Sequence, residues 1–105
     1  MSTAMHAIVG IWSMAELQRG DLERGLIEHV LPGVKDRPGF VSGFWMRDPE
    51  TGKGHSTVVF DTEQAAREFK TAIDANRQAQ ARMGIVNDTL VLVEVTATTQ
   101  RDARP

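Results

Sequence analysis

The chain contains no cysteine. A disulfide framework, a thiolate metal site and a cysteine nucleophile are thereby excluded, and the absence fits a reducing compartment. Positive charge is not in excess either. Lys and Arg number 12 against 14 Asp and Glu, for a formal net charge of −2. The basic residues are scattered, so the electrostatic footprint of a nucleic-acid binder is missing. Long apolar runs are also lacking. The opening residues, Met1-Ser2-Thr3-Ala4-Met5-His6, have no basic start followed by an apolar stretch, and no segment approaches the ~20 apolar residues of a membrane span. The expectation is a soluble, cytoplasmic protein with no signal peptide and neither nucleic-acid nor membrane partner. A phosphate loop is missing as well. Gly52-Lys53-Gly54 lies in a hairpin rather than between a strand and a helix.

What remains is an ordinary globular composition, 41% hydrophobic and 25% charged over 105 residues, enough for one domain with one core. The pattern turns on the stretch from Asp36 to Asp48. Pro38 fixes φ and moves Arg37 out of the helical region, and Gly39 permits a sharp turn. The apolar, aromatic run Phe40-Val41-Ser42-Gly43-Phe44-Trp45-Met46 follows, and then the turn residues Asp48-Pro49-Glu50-Thr51-Gly52. A helix ends, a strand begins and a hairpin closes it.

The other elements fall around that centre. Met5 to Ser13 is β-branched and apolar on both alternating sets, which predicts a first strand. Gly10 lies inside it, where a missing side chain admits a close neighbour or a ligand. Asp21 is a candidate cap for a first helix whose face carries Leu22, Leu26, Val30 and Val34. Pro32 predicts an end to regular helix near Leu31, followed by a kink or a loose turn. Strands two and three are predicted at 39–47 and 55–60 as an antiparallel pair. Asp61 followed by Gln64 resembles a capping box and opens a second helix with Ala66, Phe69 and Ile73 on its buried stripe. A break near Asn76 fits its length, and Gly84 is its C-terminal stop. A fourth strand is predicted at 89–96.

The order βαββαβ is the ferredoxin-like, split βαβ arrangement: an α+β domain with a four-stranded antiparallel sheet and two helices on one face. The expected division is one domain over 1–97 and a polar tail over 98–105. Both faces of the sheet read as apolar. Leu90 and Leu92 oppose Val91, Val93 and Val95; Ile8 and Trp12 oppose Val9 and Ile11. Two helices cover only one face, so the other is expected to meet a second copy of the chain as a homodimer.

Three segments carry a family resemblance: Leu31-Pro32-Gly33-Val34, Arg37-Pro38-Gly39-Phe40 running on to Asp48, and Val58-Val59-Phe60-Asp61-Thr62-Glu63-Gln64-Ala65-Ala66. With them the chain resembles the dimeric α+β barrel superfamily, and within it the antibiotic-biosynthesis-monooxygenase-like proteins. The resemblance implies a ligand cavity between the sheet and its own helices. It implies one of several activities: cofactor-free oxygenation, isomerisation, haem degradation or no assigned catalysis. Haem-degrading members place an axial histidine on the second helix. Residues 62–83 contain none, so no haem is expected. Neither a metal nor an organic cofactor is otherwise called for.

Given such a cavity, Asn76 and Gln80 are polar residues continuing an apolar helical stripe. Asn76 is the candidate catalytic carboxamide, able to hold a carbonyl or an oxyanion; the alternative is that it caps a helix break. His29, at the edge of the first helix's face, is the candidate general base, against a simple exposed histidine. Trp12, Trp45, Gln80 and His55 are candidate substrate-binding residues, against core, dimer-contact or turn roles. The three histidines lack local metal-ligand spacing, so no metal site is expected. Two readings of function stand side by side. One is a cofactor-independent monooxygenase-like enzyme acting on a small apolar or aromatic molecule. The other is a non-catalytic, ligand-binding or stress-associated dimer, favoured by the want of a convergent acid–base pair.

Overall fold

A computed structural model describes residues 4–14 and 19–101. Residues 1–3, 15–18 and 102–105, the last of them the end of the polar tail, lie outside the described residues. Strand β1 is His6–Met14, β2 Phe40–Arg47, β3 Gly54–Phe60 and β4 Ile85–Glu94. They form one antiparallel sheet in the order β2-β3-β1-β4. This is the ferredoxin-like order, with both helical segments on one face. β4 starts four residues before the expected point because Gly84, at φ +85, turns the chain directly into it.

The first helical segment corrects the sequence expectation at both ends. α1 already runs at Arg19 and continues to Gly25, so Asp21 lies in its first turn rather than at its cap. A π-helical turn, Leu26–Val30, follows, and α2, Leu31–Lys35, carries the helix through Pro32. The Leu31 amide donates to the Leu26 carbonyl, five residues back. Widening the helix just ahead of Pro32 accommodates a residue that has no N–H and whose ring crowds the preceding turn. The helix is therefore not regular up to Leu31, and it does not stop there.

The second segment, α3 at Glu63–Ala75 and α4 at Arg77–Arg82, breaks at Asn76. Its cap is Thr62, one residue later than the sequence suggested. The Thr62 hydroxyl accepts from the Ala65 amide at 3.1 Å. Asp61 serves the neighbouring turn instead, donating its amide to the Gly39 carbonyl at 2.8 Å. Gly39 has φ +81, and a methyl group there would sit 2.5 Å from Asp61 Oδ1. The Arg37 guanidinium lies 5.5 Å from the centre of the Phe69 ring. The Arg-Pro-Gly-Phe motif thus locks the start of β2 to the entry of α3. Its residues are structural.

The core is built on one end of the sheet. Ile8, Val58 and Phe60 pack against Val34 of α2 and Ala66 and Phe69 of α3. At the other end, β4 bulges between the residues facing Ile11 and Trp12. Asn87 closes the bulge by donating its amide to the carbonyls of Ile11 and Thr89. Asp88, left out of the pairing, accepts from Ser13 Oγ at 2.6 Å and Lys53 Nζ at 2.9 Å, tying β4 to β1 and to the β2–β3 hairpin.

These bonds hold the Asp88 carboxyl below its ordinary range, the Ser13 hydroxyl contributing most and Lys53 next. Asp48, Glu63 and Asp74 are lowered too, each chiefly by a hydrogen bond to the charged form: from the Glu50 amide, from Arg67 and from Lys70. A carboxyl with a lowered folded pKa stabilises the fold above its unfolded pKa, and that contribution is lost as pH falls through the folded value. The urea midpoint is therefore expected to decline below about pH 4. Asp88→Asn should make the decline shallower. An equally steep decline in the variant would show that Asp88 takes no part.

Candidate functional site

Side chains alternate across a strand, and the register determines which ones face the helices. On β1 these are Ile8, Gly10 and Trp12. Facing them on β3 are Val58, Ser56 and Gly54, and beyond those on β2 are Gly43, Trp45 and Arg47. The central row is therefore Gly10, Ser56 and Trp45, with Gly54 beside Trp12 in the next. At this end of the sheet the floor is made of small residues under two indoles.

Small residues there leave a space the helices do not fill. A cavity of about 360 Å³ lies between sheet and helices, at the lower end of the range for small-molecule sites. Its wall is mostly apolar. Leu22, Leu26 and Val30 come from α1 and the π-helical turn, Phe69 and Ile73 from α3, and Met14 and Ile85 from the strand ends. The ridge of the π-helical turn also brings His29 to the rim. Such turns recur at functional sites because they re-aim side chains.

Polar groups within this wall are few. Ser56 is 7% exposed and accepts from Trp12 Nε1 at 3.1 Å. Gln80, on α4, borders the cavity, and its Oε1 is buried without a hydrogen-bond partner. A buried acceptor left unpaired costs about 1–3 kcal/mol, so a ligand hydroxyl or a water there would relieve it. The rim carries the charged residues Asp21, Glu23 and Arg47.

The candidates from the sequence divide. Trp12, Trp45, Gln80 and His29 border one space, although they come from β1, β2, α4 and the π-helical turn. Asn76 does not join them. It is exposed, and the cavity wall passes from Ile73 to Gln80 without it. The helical count that placed Asn76 on the stripe fails because the helix stops there, at φ −101 and ψ 8. Nor does its side chain cap α4; its backbone carbonyl accepts from the Gln80 amide at 3.1 Å. His55 borders the cavity through its position on β3. Its partners in the register are Ile11 and Met46, which puts its ring on the opposite face of the sheet. Ser56 and the π-helical turn were missed by the sequence reading. A serine two residues before Val58 in an apolar strand was the available signal for the first; Pro32 was the signal for the second, read as a kink after Leu31 rather than a widened turn before it.

Among the described residues no group of three or more His, Cys, Asp or Glu could hold a metal ion, and no helix is long and apolar enough to cross a membrane.

Solved structures share this architecture. The chain has the fold of the antibiotic biosynthesis monooxygenases. A protein from Deinococcus radiodurans, provisionally assigned to that class, matches with a TM-score of 0.67 and 14% identity over 95% of this chain and 99% of its own. One from Chloroflexus aurantiacus, also provisionally assigned, matches at 0.66 and 20% identity over 92% and 98%. The ActVA-Orf6 monooxygenase of Streptomyces coelicolor, solved with nanaomycin D bound, matches at 0.62 and 14% identity over 95% and 94%. These identities speak to the fold alone. No family model and no curated protein matches the sequence.

Proposed function

We propose that this protein is a homodimeric, monooxygenase-like enzyme that oxygenates a small apolar or aromatic molecule between its sheet and helices without a resident cofactor. The observation that carries this reading is the hollow at the glycine- and serine-floored end of the sheet, walled by apolar side chains and two indoles. An oxygenation of this kind balances as R₂CH₂ + O₂ → R₂C=O + H₂O, with the substrate itself supplying the electrons. The substrate must then be a weak acid whose anion is readily oxidised, such as a hydroxylated aromatic ring. What the protein supplies is an apolar enclosure that excludes water, a base and a polar anchor. On this reading His29, at the rim, takes the proton. On the same reading Gln80 Oε1, buried and unpaired, accepts a hydroxyl hydrogen from the ligand.

Oxygen uptake tests the reading with a panel of hydroxylated one- to three-ring aromatics, followed by mass spectrometry of products formed under isotopically labelled oxygen. Incorporation of one labelled atom, reduced at least tenfold by His29→Ala, is the expected result, a general base contributing about 10²–10⁴-fold. Binding without oxygen uptake across the panel would leave the non-catalytic reading. One observation favours that second reading: His55 lies on the other face of the sheet and cannot pair with His29, and the acidic groups at the cavity, Asp21 and Glu23, are exposed at its rim.

Gln80→Leu separates anchor from scaffold. Replacing a half-buried carboxamide whose oxygen is buried and unpaired by an apolar group of similar length should leave the melting temperature unchanged or higher, while weakening hydroxyl-bearing ligands by about 1–3 kcal/mol. A fall in stability with affinity unchanged would make Gln80 a structural residue.

A further inference from the structure

The sequence Gly-x-Trp occurs twice, as Gly10-Ile11-Trp12 and Gly43-Phe44-Trp45. In each pair the glycine and the indole share the helix-facing side of the sheet, two residues apart on one strand. In each the ring is folded back over its glycine. A methyl group at Gly10 would sit 2.8 Å from Trp12 Nε1 and 3.1 Å from Ser56 Oγ; one at Gly43 would sit 2.7 Å from Trp45 Cη2 and Cζ3. Neither glycine has positive φ, so backbone conformation does not require it. What requires it is the ring above. β1 and β2 both run antiparallel to β3, so both indoles lean the same way, towards the packed end of the sheet. The Trp12 bond to Ser56 holds one of them flat.

We infer that Gly10 and Gly43 are specificity-determining residues: by letting both indoles lie along the floor, they set the length of ligand that the cavity accepts. This inference rests on the reading of the cavity as a binding site for flat apolar molecules. A methyl group at either position lifts a rigid ring off the sheet. The packed end is filled by Ile8 and Val58, so the free direction is into the cavity. For Trp12 the lift also breaks the bond to Ser56. The cavity then shortens without any change in the residues that touch a small ligand elsewhere.

The test measures equilibrium binding of phenol, 2-naphthol and 2-hydroxyanthraquinone, compounds of one, two and three rings. The protein is expected to bind the three-ring compound most tightly. Gly10→Ala and Gly43→Ala should each weaken it by about tenfold or more while changing phenol by less than about twofold, the scale set by overpacking a close-packed site. The double variant Gly10→Ala with Trp12→Leu removes the ring that clashes, and should recover three-ring binding. Equal weakening of all three compounds, or none, would overturn the inference and leave the binding site standing. If the native protein binds none of them, both the inference and the reading beneath it fail. If Gly10→Ala does not fold, the double variant decides: recovered folding and binding support the ring as the cause, and continued unfolding overturns it.

Discussion

Replacing Phe44 or Val91 with Asp is expected to unfold the protein, and not merely to divide a dimer. Both residues lie on the face of the sheet turned away from the helices. Phe44 pairs with Thr57, which pairs with Val9, which pairs with Val91, so the four form a row across all four strands. Phe44 is 62% exposed and Val91 42% exposed in the single chain. Met46 and Val93 extend the apolar area on the same side. In a monomer, a charge at sites this open changes stability by only about 0.5 kcal/mol. If a second copy covers the face, the same charge is buried without a partner and costs at least about 3 kcal/mol. On the homodimer reading a subunit with this face bare has no stable alternative, so association and folding fail together. Circular dichroism and light scattering on both variants give the answer. A folded, monodisperse single chain with an unchanged melting temperature would show that the face is open in solution and that the homodimer reading is wrong.

The sequence foresaw that two-sided apolar pattern, but not which set of residues faces outward. Period-two alternation shows that Leu90 and Val91 oppose each other; only the helices decide which is inside. The same limit runs through the site. Trp12, Trp45 and Gln80 were legible as large or polar residues on apolar stripes. Asn76 was misplaced because a stripe is an argument about an unbroken helix, and the break occurs at that residue. His55 was judged by closeness to a turn, when the register opposite Ile11 and Met46 decides its face. The fold was legible for a complementary reason. Gly39 and Gly84 act through local backbone geometry, which neighbouring residues report. Part of the motif behind the family resemblance belongs to that class: Arg37, Gly39 and Asp61 hold β2 to α3 and do not line the cavity. That part carries information about architecture, whereas Trp45 and Arg47, further along the same segment, border the cavity.

The layer between sheet and helices is filled at one end and hollow at the other, and β3 runs from one to the other. Its last residue, Phe60, is 0% exposed. The Phe60 ring stands edge-on to Phe40 at 6.3 Å between centroids and tilted against Phe69 at 5.3 Å. Through those two contacts it joins β2 and α3 to the centre of the sheet. Phe60→Ala is expected to cost about 3–5 kcal/mol, because a filled aromatic site is emptied and the rings around it cannot all collapse. That corresponds to a fall in melting temperature of at least about 12 °C for a domain of this size. Four residues earlier on the same strand and the same face, Ser56→Ala removes one atom from beside an existing hollow. Its cost is limited to the bond from Trp12, about 0.5–1.5 kcal/mol. If stability resides at the packed end and ligand recognition at the hollow end, the two variants should dissociate. Phe60→Ala loses most of the stability but, wherever it is still folded, keeps its ligand preference; Ser56→Ala keeps its stability while the freed Trp12 ring alters that preference. Denaturant melts and binding isotherms on the pair decide the matter, and equal losses of stability in both would mean that the hollow end is as close-packed as the core.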